Sequence, residues 1–452
     1  MVGLARPSFA KATRVWAKIG WLSFGGPAGQ IALMHRELVE ARRWISESRF
    51  MHALSYCMLL PGPEAQQLAI YIGWLMHRTA GGIVAGVLFV VPGIVVILLL
   101  SWLYVVYGQV PGVAAVFFGL KAAVLAIVVE AVLRIGRRAL KNQLMLVLAF
   151  AAFTAIFFLK VPFPLIILGA ALCGAVAHHF LPQFFIAEEK KYDDNDERYI
   201  IDGLIKRQEL AHIKPSTSRA VATLSICIAF WFVPVVGVAM WFGSDSVLAQ
   251  EGAFFSWAAV VTFGGAYAVL AYVAQQVVEK FAWVTASQMM DGLALAETTP
   301  GPLIMVVQFV AFLAAFRHPG SLPPVLAGVV GSLLTTWVTF VPCFLWIFLG
   351  APYIEALRSH RVLRAALAAI TAAVVGVILN LSVWFALHTI FGKVDARHYG
   401  VIHLQVPDWG TIDIGGAALS SAALIAMLLF KAPIGWTLGG CAVLGGVYRL
   451  ML

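Results

Sequence analysis

Residues 79–120 read TAGGIVAGVLFVVPGIVVILLLSWLYVVYGQVPGVAAVFFGL and contain no Asp, Glu, Lys or Arg. A run of this length is enough for two membrane crossings at about 20 residues each, with Pro111-Gly112 as the natural turn between them. Working outward, further uncharged runs occupy 142–159, 161–187, 220–244, 252–278, 318–354, 365–392, 414–430 and 432–448. They are apolar on every side rather than alternating, which selects helices over the strands of a membrane barrel. Over all 452 residues, 61% are hydrophobic and 12% charged, and the mean hydropathy is +0.90. A soluble domain carries about 25% charged residues. The composition therefore excludes a soluble enzyme, a disordered chain and a nucleic-acid-binding module, and predicts an all-α polytopic membrane protein in the lipid bilayer.

The net charge of +9 fits basic cytoplasmic loops and, more weakly, an anionic substrate. The five cysteines (Cys57, Cys173, Cys227, Cys343 and Cys441) are far apart in apolar stretches. That spacing predicts neither a disulfide framework nor a metal site, and no cofactor is expected. Lys11, Arg14 and Lys18 interrupt the place where the apolar core of a cleaved signal would stand.

One hydrophilic segment, 188–219, holds eight acidic and seven basic residues and reads as a solvated cytoplasmic linker. The halves on either side repeat. Phe24-Gly25-Gly26 matches Phe263-Gly264-Gly265 at an offset of 239, and Pro61-Gly62-Pro63 matches Pro300-Gly301-Pro302 at the same offset. Glu40, Trp44 and Leu54 match Glu279, Trp283 and Leu293 likewise. Pro92 and Ala122-Ala123-Val124 match Pro342 and Ala372-Ala373-Val374 at an offset of 250.

Charge predicts opposite orientations for the two halves. In the first, 134–141 is basic and 108–114 is not; in the second, 358–364 is basic and 384–391 is not. Basic loops face the cytoplasm, so aligned loops fall on opposite sides, as in the inverted-topology repeats of secondary transporters. The expected layout is a first transmembrane repeat at 1–187, the linker at 188–219, a connecting helix at 220–244 and an inverted repeat at 245–452. The N-terminus is then cytoplasmic and the C-terminus external.

Broken or re-entrant helices are expected at Gly25-Gly26, Gly264-Gly265, Pro61-Gly62-Pro63 and Pro300-Gly301-Pro302, because Gly pairs weaken helices and Pro removes a donor. Unpaired backbone at membrane depth is tolerated where it is buried in protein or lines a cavity. Pro63 and Pro302 should open new half-helices, whose positive ends suit an anion. Glu64 beside the first such end reads as a proton-carrying carboxylate, with Glu297 as the second candidate. Gln66, Gln67, Thr298 and Thr299 are neutral groups able to hold oxyanion oxygens. Two helix ends supply about +0.5 each, which leaves positive charge still wanting for an anion of higher charge. Lys121, expected near mid-membrane, would supply it from the anion path; the competing reading pairs Lys121 with Glu130 or Glu297.

The stretches Phe24-Gly25-Gly26-Pro27-Ala28-Gly29-Gln30-Ile31-Ala32 and Leu60-Pro61-Gly62-Pro63-Glu64-Ala65-Gln66-Gln67-Leu68-Ala69, with His35, Glu37, Trp44 and Tyr71-Ile72-Gly73-Trp74, resemble the chromate ion transporter family in its two-domain form. The resemblance covers essentially the whole chain. It implies a proton-driven secondary carrier exporting chromate from the bacterial cytoplasm, with sulfate as competitor, and adds Gln30 to the substrate-binding candidates. A homodimer is compatible with it. Since the second half lacks the Glu-Ala-Gln-Gln residues, the two half-sites cannot play equal roles. The alternative reading is a transporter of another oxyanion such as sulfate; weaker still are a membrane enzyme acting on a lipid phosphate, a passive channel, and an ATP-driven pump, for which no Walker-type loop is visible.

Overall fold

The computed structural model describes residues 6–180, 199–207, 209–213, 215–353, 361–400 and 402–451. Residues 188–198, 208 and 214 of the expected linker, 181–187 of the uncharged run 161–187 and 358–360 of the basic segment 358–364 lie outside the described residues. The architecture is helical. Among the described residues six helices are long and apolar enough to cross a membrane, which makes this a polytopic membrane protein.

The first half runs α1 (Phe9–Leu22), α2 (Gly26–His35), a π-helical turn (Arg36–Ala41), α3 (Glu47–Cys57), α4 (Glu64–Tyr107), α5 (Pro111–Ala139), α6 (Gln143–Phe157) and α7 (Phe163–Phe180). After a short α8 (Ile200–Lys206) and a long α9 (Thr217–Phe242), the second half follows. It contains α10 (Val247–Val261), α11 (Ala266–Gln275), a π-helical turn (Gln276–Lys280), α12 (Ala286–Thr298), α13 (Val306–Arg317), α14 (Pro324–Gly350), α15 (Arg361–Ile390), strands β1 (Val394–Tyr399) and β2 (Ile402–Pro407), α16 (Ile414–Leu428) and α17 (Ile434–Met451).

The elements recur at constant offsets. Through α3 and α12 the offset is 239, at α5 and α15 it is 250, and at the two closing helix pairs it is 271. The last step is the length added by the antiparallel β1–β2 hairpin, an element outside the all-helical expectation. Its strands carry charged and polar residues among apolar ones, and Gly400 at φ 63° makes the turn. Unusual backbone recurs too. Positive φ at Arg43 returns at Ala282, at Lys160 it returns at Lys431, and Gly25, Gly26 and Gly62 return at Gly264, Gly265 and Gly301.

The expected breaks are present. α1, with 14 residues, is about 21 Å long, short of the ~30 Å hydrocarbon core. The long α4 is two limbs, since His77 and Arg78 are not helical. A Cβ on Gly82 would meet Ile70 O at 3.1 Å, so the limbs fold back on each other as a tight hairpin. α13 and α14 pack as the corresponding pair, with Gly328 against Phe312. Pro63 and Pro302 stand one position earlier than expected. They precede the new helical turns, and their carbonyls accept from Gln67 N–H at 3.1 Å and Met305 N–H at 2.9 Å.

Two compact units are present: Met1–Leu98 with Ala187–Ala266 and Thr299–His360, and Leu99–Ile186 with Tyr267–Thr298 and Arg361–Leu452. Each draws on both sequence halves. In the second unit α5 packs on α16 and α17, while α15 packs on α6 and α7, so each half's long helix lies against the other half's closing pair. Gly119 makes room for this, because a Cβ there would collide with the Cys441 carbonyl of α17. In the first unit, part of the charged linker is not solvated, contrary to the sequence expectation. Ile200 and Ile201 N–H donate to Arg43 O and Trp44 O at 3.1 and 2.9 Å. Asp202, 3% exposed, accepts from Arg49 Nε at 2.8 Å and Ser46 Oγ at 3.1 Å.

Candidate functional site: two crossed helix breaks

The first unit brings the four breaks together in a crossed arrangement. Gly62 N–H donates to Thr262 O at 2.9 Å, and Gly301 N–H donates to Ser23 O at 3.0 Å. Each Pro-Gly-Pro turn is thus tied to the Gly-Gly break of the other half. The accepting residues correspond at the offset of 239, and each folds its hydroxyl onto its own helix: Ser23 Oγ to Ile19 O at 2.6 Å, Thr262 Oγ1 to Ala258 O at 2.5 Å. A hydroxyl that bonds back within its helix leaves the terminal carbonyl to accept from elsewhere.

The far side of each turn is also matched. A Cβ on Gly62 would stand 3.0 Å from Cys343 Sγ, the residue after Pro342. A Cβ on Gly301 would stand 3.1 Å from Gly93 Cα, the residue after Pro92. Gly62 at φ 119° and Gly301 at φ 101° occupy backbone that side chains avoid. Both tightness and conformation therefore require glycine here.

The side chains break this symmetry. On the first turn Gln67 Nε2 donates to Pro61 O at 2.7 Å. Gln66 is 1% exposed, and neither end of its amide has a hydrogen-bond partner. Glu64 opens α4 half-buried, and a Cβ on Gly265 would stand 3.4 Å from its Oε1, so this carboxylate faces the second Gly-Gly break. Gln30 Nε2 reaches from α2 to Gly301 O at 2.6 Å, while Gln30 Oε1 and Gln67 Oε1 are buried without a partner. The aligned positions in the second half are Leu303, Met305 and Val306 after the other turn and Val269 within α11, all buried and apolar.

Buried amides normally find partners, so Gln66 is suited to a polar ligand or to water. It lies in the first turn of α4, where backbone N–H groups lack intrahelical partners and the dipole end is positive. The site can therefore offer neutral donors and a positive helix end to an anion, beside one carboxylate.

The remaining candidates lie elsewhere. Thr299 joins the first unit and is 5% exposed. Thr298, Glu297 and Lys121 belong to the second unit. Thr298 Oγ1 donates to Leu295 O at 2.9 Å, and Glu297 accepts from Tyr267 OH at 2.6 Å. Lys121 Nζ donates to Ser287 Oγ at 2.5 Å and stands 3.7 Å from Asp291 Oδ1. Asp291 also accepts from Tyr104 OH at 2.8 Å. Sequence reasoning missed Asp291 as the partner of Lys121. The available signal was Ser287 and Asp291 four residues apart in α12, hence on one face.

Fold and site together define a polytopic helical membrane protein built around paired, repeated helix breaks. The chromate transporter family profile matches residues 10–175 and 250–446, and the chain belongs to that family. It is 32% identical to a chromate transport protein of Pseudomonas aeruginosa over 80% of this chain and 77% of the relative. To the chromate transport protein of Cupriavidus metallidurans it is 29% identical over 82% of this chain and 81% of that one. An uncharacterized transporter of Methanocaldococcus jannaschii is 23% identical over 84% of this chain and 85% of its own length. No solved structure matches the chain.

Proposed function

We propose that the chain is a secondary carrier of chromate, with sulfate as competing oxyanion, in the bacterial cytoplasmic membrane. Substrate binds at the crossed breaks and transport is coupled to the proton gradient. The observation that carries this reading is the buried Gln66 amide without a partner, at a helix end tied to the opposite half through Gly62 and Thr262. Gln66 and the first-turn N–H groups supply donors to the anion. Glu64 competes with the anion for the same positive end, so anion binding is favoured when Glu64 carries a proton. Glu297, hydrogen-bonded to Tyr267, is the second proton-coupling candidate.

The recurrence of elements at fixed offsets supports two repeats exchanging roles in alternating access. The charge bias of 134–141 and 358–364 supports opposite insertion, with a cytoplasmic N-terminus and an external C-terminus. The relatives named as chromate transport proteins favour a carrier over a lipid-phosphate enzyme.

The direct test is chromate flux in everted vesicles, with and without a proton gradient and with sulfate in competition. Gradient-dependent accumulation inhibited by sulfate is expected. Flux indifferent to the gradient would remove the coupling, and absence of chromate flux would remove the function.

A further inference from the structure

Within the first unit, α10 carries a buried carboxylate outside the crossed breaks. Glu251, in the second turn of that helix, is 0% exposed, and neither of its oxygens has a hydrogen-bond partner among the described residues. A Cβ on Gly331 of α14 would collide with Glu251 Oε2, so this glycine makes the room that the carboxyl occupies. The helices α9, α13 and α14 pack against α10, and their titratable residues are Arg219, Cys227, Arg317 and Cys343. What they turn toward this part of α10 is apolar: Val235 stands against Gly252, and Val238 and Ala315 pack with Leu248. Arg317 is exposed at the end of α13. An ionised carboxylate without a partner is costly to bury, and an ionisable side chain within an apolar bundle marks a proton or ion path.

The repeat shows that the fold does not require this carboxyl. At the offset of 239 the residue aligned with Glu251 is Ala12 of α1. The same asymmetry runs along α14. Ser332, Thr335, Thr336, Thr339 and Cys343 recur at spacings that put them on one face, and all are buried. Their aligned residues at the offset of 250 are Gly82, Ala85, Gly86, Phe89 and Gly93, without a hydroxyl or thiol.

This face joins Glu251 to the first Pro-Gly-Pro turn. It begins beside Gly331 and ends at Cys343, which lies against Gly62, about 18 Å further along the helix. Ser332 Oγ donates to Gln308 O at 3.1 Å, Thr336 Oγ1 to Ser332 O at 2.8 Å and Thr339 Oγ1 to Thr335 O at 2.7 Å. Thr335 Oγ1 and Gln308 Oε1 are buried without a partner. Buried polar atoms of this kind hold ordered water. A hydroxyl both donates and accepts, so hydroxyls alternating with waters can pass a proton. The Glu251 end lies near exposed Asp245, Arg317 and His318. Because α9 leads there from the linker, this end is external on the topology proposed above, the side from which protons enter when an anion is exported.

We propose that Glu251 is the proton entry site of the carrier. It takes a proton from water at the external end and passes it along the hydroxyl face of α14 to the turn that carries Glu64. The inference rests on the reading of the chain as a proton-coupled anion carrier, and it adds the route by which the proton arrives.

The test measures initial rates of gradient-driven chromate accumulation in everted vesicles, with chromate exchange at zero gradient in the same vesicles. Glu251→Gln should slow accumulation about 10-fold or more, as expected for loss of a positioned proton carrier, and leave exchange unchanged. Glu251→Asp should keep an intermediate rate, because a carboxyl remains. Glu251→Ala gives α10 the residue type of its aligned position, so it should fold with normal thermal stability and behave as Glu251→Gln does. Thr335→Val removes the hydroxyl and keeps the shape; it should slow accumulation several-fold with exchange unchanged. Accumulation at the wild-type rate in Glu251→Gln, or equal loss of accumulation and exchange in both Glu251→Gln and Glu251→Ala, overturns the entry site. Wild-type accumulation in Thr335→Val overturns the route along α14. A wild-type chain whose flux ignores the gradient overturns the proposed coupling itself, and the entry site with it.

Discussion

The two Pro-Gly-Pro turns share a backbone and differ in chemistry. Both are tied to the opposite Gly-Gly break at 2.9 and 3.0 Å, and both need glycine at positive φ. The first is followed by Glu64, Gln66 and Gln67; the second by Leu303, Met305 and Val306. Backbone symmetry therefore concerns how the chain is built and held. Side-chain asymmetry concerns where a polar ligand can sit, since an apolar turn offers only its backbone. We therefore propose one polar ligand site at the first turn, with a supporting role for the second.

The shared backbone can be broken first, with the largest effect. Gly62→Val and Gly301→Val each force a side chain into disfavoured φ, at about 1–3 kcal/mol, and into contact with Cys343 or Gly93. Both should lower thermal stability in detergent and abolish chromate flux. A transport-competent Gly301→Val would show that the second turn is dispensable.

The chemical difference can be sharpened next. Gln66→Met converts the first turn toward the second, whose aligned residue is Met305. Loss of one hydrogen bond to a charged ligand, about 1.5–3 kcal/mol, should raise the half-saturating chromate concentration about 10- to 150-fold. Met305→Gln should leave it within about 2-fold, since uniform effects of the two changes would mean two equal sites.

A smaller effect is expected at Lys121, which lies in the other unit and is already neutralised in part by Asp291. Lys121→Met should raise the half-saturating concentration several-fold with normal membrane insertion, and Lys121→Arg should retain part of the affinity because charge survives. Unchanged affinity in Lys121→Met removes this residue from the anion path. The smallest signal is topological. Cysteines placed in 134–141 and 358–364 should resist external labelling, and strong labelling of either would contradict opposite insertion of the halves.

Much of this was legible in residue order, for physical reasons. Uncharged runs mark apolar helices because the bilayer core excludes charge: 365–392 returns mainly in α15, one of the six described helices long and apolar enough to cross, while 414–430 returns as the shorter α16. Gly and Pro mark breaks because they remove side-chain and donor constraints locally, as Gly25 and Pro61 do. What pairs with what was not legible. The crossing of Gly62 with Thr262, the exchange of α5 and α15 between closing pairs, and the docking of Asp202 on Ser46 and Arg49 all join distant residues. Lys121 and Asp291 illustrate the same limit. Each was visible as a charge in an apolar helix, but only packing brought α5 and α12 into contact.

The central claim is that Glu64, beside the polar turn, couples proton and anion. Its most direct test is gradient-driven chromate accumulation in everted vesicles carrying Glu64→Gln, with chromate exchange measured at zero gradient in the same vesicles. The account predicts that exchange persists while accumulation above equilibrium is lost. Accumulation at the wild-type rate would contradict it and pass the coupling role to Glu297.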